Sequence, residues 1–334
     1  FFFFFFFFFG GGGGGVGQGE HGLSQSSEGF RAGLATTIWS ACRHTAAPEH
    51  LHFHLMVLSS EQAAAETFVG NYAGVFRPCI VSFSVLDESS VDWDEFPQTR
   101  FLGSRHNVMH HLFHERILPD LDKAIILDTD LVATGDLYVF WAQVRDYFTA
   151  YPDQVLMVGG GKLEDGDPVC PSTSSWHLAD DLAECISSYY KVPKPTGLTQ
   201  FGTGVQAVNF RAWRQQDMTK RMLAVIDHHC PGVTGTQSLF NVVFYPQRPG
   251  CYAITGKTNH VTVNNACVMS DKNMLIHYPT WRKPWLRTSV LAYVVDKTQW
   301  CGFFDLWRAY CMDFVAATGT LSPAFCGRSC TVCI

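Results

Sequence analysis

Two aspartates one residue apart, Asp128 and Asp130, follow a short, continuously apolar run, Lys123 to Leu127 (KAIIL). In extended backbone a spacing of two sends both carboxylates to the same side while Thr129 points away. Carboxylates so placed at a strand end repel unless a cation lies between them, and a hard divalent ion accepts oxygen ligands of this kind. Far along the chain, NMLIHYPTWRKPW (Asn273 to Trp285) offers a third group. There a brief apolar strand, Met274 to Ile276, ends at His277, and Lys283, Pro284 and Trp285 follow six residues later. His277 can ligate a metal as neutral imidazole, which favours Mn²⁺ over Mg²⁺, while Lys283 can act as a point charge on a diphosphate.

Two reactions make use of an acidic pair after a strand. In a nucleotide-sugar transferase, a divalent ion held by Asp128 and Asp130 would bridge the two phosphates of UDP and take up the charge that develops as the sugar leaves. In a haloacid-dehalogenase-type phosphatase, Asp128 would attack phosphorus and Asp130 would act as acid and base. The phosphatase needs the motif on the first strand and a downstream lysine with further acids. Lys162, Asp165 and Asp167 could fill the second need, but two strand–helix units precede the motif, which is the wrong place for it.

The elements that must hold these residues can be read from periodicity. Arg31 to Thr45 has an apolar face at Leu34, Ile38, Trp39 and Cys42 and predicts a helix. His52 to Leu58 (HFHLMVL) predicts a strand, Glu61 to Phe76 a helix and Cys79 to Val85 a strand. Val108 to Ile117 predicts a helix stopped at Pro119, and Val155 to Val158 a further buried strand. This alternation argues for an α/β fold with a mostly parallel central sheet flanked by helices, whose ligands sit beyond the carboxyl ends of the strands. Such a sheet normally begins with a strand, yet no apolar run lies between Gly10 and Arg31, so the first strand is expected to be missing. Lys162 to Gln200, rich in Pro, Ser, Asp and Gly, is expected to be an insertion or lid.

With LDTD upstream and HxxxxxKPW downstream, the chain resembles glycosyltransferase family 8, retaining enzymes with the Rossmann-like GT-A fold, from about Ala32 to Trp285. FGTGVQAVNFRAW (Phe201 to Trp213) is similar to the family's FNxGV strand and the helix after it. HFHLMV, LPDLDKAIILDTD and GDLYVFW are most similar to the LARGE-type xylosyltransferase domain. The resemblance implies Asp128, Asp130 and His277 as Mn²⁺ ligands and Lys283 on the diphosphate of a UDP-sugar. It also implies Gly202, Thr203 and Gly204 beside the donor sugar and a glycan or glycoprotein acceptor, with xylose as the sugar suggested only by the LARGE-like stretch. Gln237 stands at the place that lies under the anomeric carbon, where it would position or stabilise. With few side chains left for a covalent intermediate, retention is expected by front-face displacement. Two departures stand out. Gly202 replaces a usual Asn, and Thr236 and Ser238 replace the carboxylates that usually flank the glutamine. They leave open a second reading, a catalytically weak or inactive scaffold that binds glycans.

Composition narrows the remaining choices. Of 334 residues 47% are hydrophobic and 16% charged, which excludes a disordered tail or a coiled coil, and a net charge of -6 offers no footprint for nucleic acid. Residues 1–29, which begin with nine Phe and six Gly, read as a low-complexity segment, disordered or artefactual. Nine apolar residues fall short of the roughly 20 that span a bilayer, so a membrane anchor, if one exists, is expected outside this chain. Residues 30–290 read as the transferase domain and 291–334 as a cysteine-containing extension. Twelve cysteines fit an oxidising lumen, of the Golgi or endoplasmic reticulum, with scattered buried thiols such as Cys42 and Cys79 as the alternative. Cys326, Cys330 and Cys333 have iron–sulfur-like spacing, but a cluster that activates a substrate needs a barrel built after the motif and is not expected here. His106, His110 and His114 share a helix face on which zinc would need a fourth ligand, and Trp281 and Trp285 could stack on a sugar or simply fill a core.

Overall fold

The apolar runs become strands, and one of them is the phenylalanine polymer. A computed structural model describes residues 3–8, 27–86, 118–158, 180–196, 202–228, 230, 232–233, 235–246, 250–251, 259–262, 273–277, 301–319 and 323–326. In chain order its main elements are β1 (Phe3–Phe8), α1 (Ser27–His44), β2 (Leu51–Leu58), α2 (Gln62–Tyr72), β3 (Ile80–Leu86), β4 (Lys123–Leu127) and β5 (Leu131–Ala133). There follow α3 (Leu137–Ala150), β6 (Leu156–Val158), α4 (Asp180–Tyr190), β7 (Val205–Asn209), α5 (Phe210–Gln215), α6 (Met218–Asp227) and α7 (Thr236–Val243). The last are β8 (Gly250–Cys251), β9 (Asn259–Thr262), β10 (Asn273–His277) and α8 (Cys301–Thr318).

Seven strands form the main sheet in the order β3-β2-β1-β4-β7-β6-β8. All neighbours are parallel except at β7, which runs antiparallel to both β4 and β6. The expectation of a missing first strand is therefore corrected. Phe3–Phe8 lies between β2 and β4, with Phe5 opposite both Phe53 and Ile125. A homopolymer has no period to read, but phenylalanine favours extended backbone and a central parallel slot accepts a continuous apolar run.

Side chains alternate across the sheet and feed two cores. Ile125 and Leu127 of β4 join Phe53, Leu55, Val205 and Ala207 in the core shared with α1, α2, α3 and α8. Ala124 and Ile126 join Met56, Leu156, Val158 and Val208 on the face covered by α4 to α7. One expectation changes here. Residues 180–190, inside the expected lid, are a core helix, with Leu182, Cys185 and Ile186 buried and Cys185 bonded to Cys230. In the C-terminal extension, α8 buries Trp307, Cys311 and Phe314 in the first core. It is tied to α1 by Trp39, whose Nε1 donates to Asp313 Oδ2 at 2.8 Å, and by Arg43, which reaches the same oxygen at 3.2 Å.

Cys42 pairs with Cys79 and Cys311 with Cys326, so these cysteines are disulfides and not free thiols. The second pair also removes Cys326 from any cluster with Cys330 and Cys333. No described helix is long and apolar enough to cross a membrane. The expected helix at 108–117, His106, His110, His114, Lys162, Asp165, Asp167, Trp281, Lys283 and Trp285 lie outside the described residues.

Candidate active site

The acidic pair occupies a three-residue link between two sheets. After β4 the chain leaves the main sheet through Asp128, Thr129 and Asp130, and it enters the second sheet as β5. That sheet has the order β5-β10-β9, and β10 runs antiparallel to β5 with His277 opposite Leu131. This register sets the imidazole beside the residue that precedes Leu131. His277 Nε2 lies 3.1 Å from Asp128 Oδ2 and 3.4 Å from Asp130 Oδ1. Among the described residues this is the cluster of three ionisable side chains able to hold a metal, with ligand atoms all within 4.8 Å of one another.

The geometry suits an ion. Ligands about 2.1 Å from an octahedral cation and at right angles stand about 3.0 Å apart, close to the observed separations. Two carboxylates and a neutral imidazole carry a net charge of -2, which one divalent cation cancels. The side chains of Asp130 and His277 are 3% and 8% exposed, whereas that of Asp128 is 39% exposed. Two ligands are thus fixed in the protein and the third faces solvent, where substrate oxygens can complete the shell. Burial by itself pushes the imidazole toward its neutral form. The charge of Asp130, hydrogen bonds to Asp128 and Asp130 and the charge of Asp128 outweigh it, and His277 is pushed up to about 9. A cation that takes the proton's place between these groups must displace it.

Gly204 completes the frame. Its carbonyl accepts the Asp128 N–H at 2.9 Å, which extends the β4–β7 ladder one step past the pairing of Leu127 with Val205. A Cβ at Gly204 would stand 2.1 Å from His277 Cε1, 2.6 Å from Nδ1 and 2.7 Å from Nε2. The glycine therefore lets main-sheet backbone lie against the imidazole, a contact that spacing alone does not reveal. Gly202 and Thr203 form the turn before β7, where the Thr203 carbonyl accepts from buried Gln206 Nε2 at 2.6 Å. Gln237 lies in the first turn of α7, half-buried, and its carbonyl accepts from Asn241 Nδ2 at 2.8 Å. Ser238, at the place of an expected carboxylate, caps α7: its hydroxyl accepts from Gly235 N at 3.0 Å. Asp136 of GDLYVFW is a cap too, since Oδ1 accepts from Tyr138 N at the start of α3 and from Thr45 Oγ1, both at 2.8 Å.

This sheet order, with an acidic link at the carboxyl end of β4 and a histidine brought to it from a late strand, is that of a GT-A fold. Residues 25–289 match the profile described as Glycosyl transferase family 8, and the chain belongs to that family. Mouse xyloside xylosyltransferase 1 is similar in fold, with a TM-score of 0.53 at 14% identity over 83% of this chain and 97% of that one. Galactosyltransferase LgtC, solved with donor and acceptor sugar analogues, gives 0.54 at 17% identity over 96% of both chains. In sequence, the probable galacturonosyltransferase-like 10 of Arabidopsis thaliana is 20% identical over 194 residues, 57% of this chain. The chain spans about half the length of that curated relative, 48%.

Proposed function

We propose that the chain moves a sugar from a UDP-sugar to a hydroxyl of a glycan or glycoprotein with retention of configuration, and that Asp128, Asp130 and His277 hold Mn²⁺ for this reaction. The observation that carries the reading is the meeting of these three side chains at 3.1 and 3.4 Å at the carboxyl end of β4. When bound, the cation supplies charge neutralisation for the departing diphosphate. Lys283, six residues beyond His277, adds a second positive charge on that diphosphate. The Gly202–Gly204 turn lies beside the donor sugar, with Gly204 also keeping the imidazole in place. Gln237 positions the anomeric centre. An amide is a poor nucleophile, so retention follows front-face displacement, in which the departing diphosphate oxygen takes the proton of the incoming hydroxyl.

Xylose is the sugar that the LARGE-like segments favour, and xyloside xylosyltransferase 1 is among the similar folds. The disulfides support a lumenal enzyme of the Golgi or endoplasmic reticulum. The test is a panel of UDP-sugars assayed for donor hydrolysis and for transfer with Mn²⁺ present or chelated. Manganese-dependent turnover of one donor, UDP-xylose first, is expected. Asp130→Ala should abolish Mn²⁺-dependent UDP binding, measured by calorimetry; binding unchanged in that variant removes the site.

A further inference from the structure

We infer that Thr37, on α1, is a positioning residue for this cation site, and that its hydroxyl fixes the backbone on both sides of Asp130. The inference rests on the assignment of Asp128, Asp130 and His277 as cation ligands and adds the group that aims one of them.

Thr37 is 1% exposed and sits mid-helix in a stretch, ATTIWSA, that looks apolar apart from its hydroxyls. Its Oγ1 lies 2.9 Å from the Thr129 carbonyl oxygen, 2.8 Å from that of Leu131 and 3.1 Å from that of Gly33, and it accepts from Leu131 N at 3.3 Å. A hydroxyl has one proton to give and lone pairs to receive. The Gly33 carbonyl, four residues back, already belongs to the helix ladder. The Thr129 and Leu131 carbonyls are thus the acceptors that gain most from the proton.

These contacts have a specific consequence for Asp130. The Thr129 carbonyl belongs to the peptide plane before Asp130, and the Leu131 N–H belongs to the plane after it. Fixing both planes fixes φ and ψ of the residue between, and with them the direction of its Cα–Cβ bond. One hydroxyl therefore aims a carboxylate that is 3% exposed and has little room to correct itself. Ser40, one turn further along α1, repeats the device on β5: its Oγ accepts from Ala133 N at 2.9 Å and donates to the Thr37 carbonyl at 3.0 Å. Asp128 does not depend on α1 in this way, because its N–H is held by Gly204 of the main sheet. The two carboxylates are consequently aimed from opposite supports, one from α1 and one from β7.

The experiment titrates Mn²⁺ alone into the purified full chain, following free and bound ion by electron paramagnetic resonance. Wild type, Thr37→Val, Thr37→Ser and Asp130→Ala are compared well below their melting temperatures. Losing an outer partner of a ligand typically weakens metal binding by about 10- to 100-fold. Thr37→Val should do so and should change the zero-field splitting of the bound ion, whereas Thr37→Ser, which keeps the hydroxyl, should stay within about 3-fold of wild type. A folded Thr37→Val with wild-type affinity and spectrum overturns the inference, as does a lowered melting temperature with no change in binding. Should Thr37→Val not fold, Ser40→Ala carries the test through the Ala133 N–H: weaker Mn²⁺ binding supports the inference, and wild-type binding overturns it. The underlying site fails separately, if wild type binds no Mn²⁺ or if Asp130→Ala binds it equally well.

Discussion

A methyl group added at Gly204 tests the imidazole's place without replacing a ligand. In Gly204→Ala the new carbon would lie 2.1 Å from His277 Cε1. Non-bonded carbons settle about 3.5 Å apart, so the ring must retreat by about 1.4 Å. The backbone has little freedom to give way instead. On one side the Gly204 carbonyl is bonded to Asp128 N at 2.9 Å, and on the other β10 is held by its pairing with β5. Metal ligands tolerate about 0.2 Å of displacement, so the variant should lose the nitrogen ligand altogether. Mn²⁺ affinity should fall by more than the roughly 100-fold that marks loss of an outer partner, and Mn²⁺-dependent donor hydrolysis should fall with it. Overpacking of this kind costs about 1–3 kcal/mol of stability, a modest drop in melting temperature that leaves a folded protein to assay. Gly70→Ala in α2 is the matched control. Nothing lies within 4 Å of its added carbon, and alanine in a helix gains about 0.5–1 kcal/mol over glycine. Calorimetric titration of both variants decides the matter. If Gly204→Ala bound Mn²⁺ as tightly as Gly70→Ala, the imidazole would not be a ligand held at this spot.

Two further outcomes follow from groups away from the site. His54, between Ser82 Oγ at 2.8 Å and Ser84 Oγ at 2.9 Å, is pushed from 6.5 down to about 4, first by burial and then by the neighbouring His52. Its protonation is harder in the folded chain than in the unfolded one. Stability is thus full above 6.5 and declines as pH falls toward 4, by up to about 3 kcal/mol. Urea unfolding at pH 7 and 4.5 should show this loss, and His54→Gln should flatten it; equal pH slopes in the two proteins would contradict the account. The Cys185–Cys230 bridge closes a separation of 45 residues, for which chain entropy gives about 4 kcal/mol. Replacing both cysteines with alanine should lower unfolding free energy by about 2–4 kcal/mol, read from denaturant midpoints, with Mn²⁺ affinity unaltered.

Strands with strong local signatures are legible in the amino-acid order itself. KAIIL is β4 to the residue, HFHLMVL is β2 within one, and the short run ending at His277 is β10. Two carboxylates at a strand terminus also announce themselves, because repulsion at that spacing asks for a cation. Pairing between distant strands is not legible. The reversal of β7 and the separate β5-β10-β9 sheet depend on contacts that no local period encodes. Phe3–Phe8 escapes a reading by pattern because nine identical residues carry no alternation, although their strand preference is strong. Within the insertion or lid expected over Lys162 to Gln200, the helix Asp180–Tyr190 is hidden for a different cause: Pro, Ser, Asp and Gly are frequent around it and mask an apolar face of Leu182, Cys185 and Ile186. Thr37, Ser40 and Gly204 are illegible as site residues for a further reason. They act through main-chain atoms and through close approach, and neither leaves a motif of side-chain chemistry.

The topology explains why so many elements are needed for three ligands. From β1 the chain goes to β2 on one side of the sheet and returns much later to β4 on the other, so the order reverses between β2-β1 and β4. Ligands of open α/β sheets bind beyond the carboxyl ends of the strands at such a switch point. Asp128 is the first residue past β4 at that point. The third ligand must be brought to that point from a late segment of the chain. The second sheet solves this by catching the chain three residues after β4, as β5, and pairing it with a late strand whose last residue is His277. The cation site is thereby a joint between two sheets, and its precision depends on how rigidly each side is held. Gly204 ties the joint to the main sheet, and Thr37 and Ser40 tie it to α1, which the C-terminal helix braces through Trp39 and Asp313. Residues as far away as α8 are therefore linked, through α1, to the backbone on either side of Asp130.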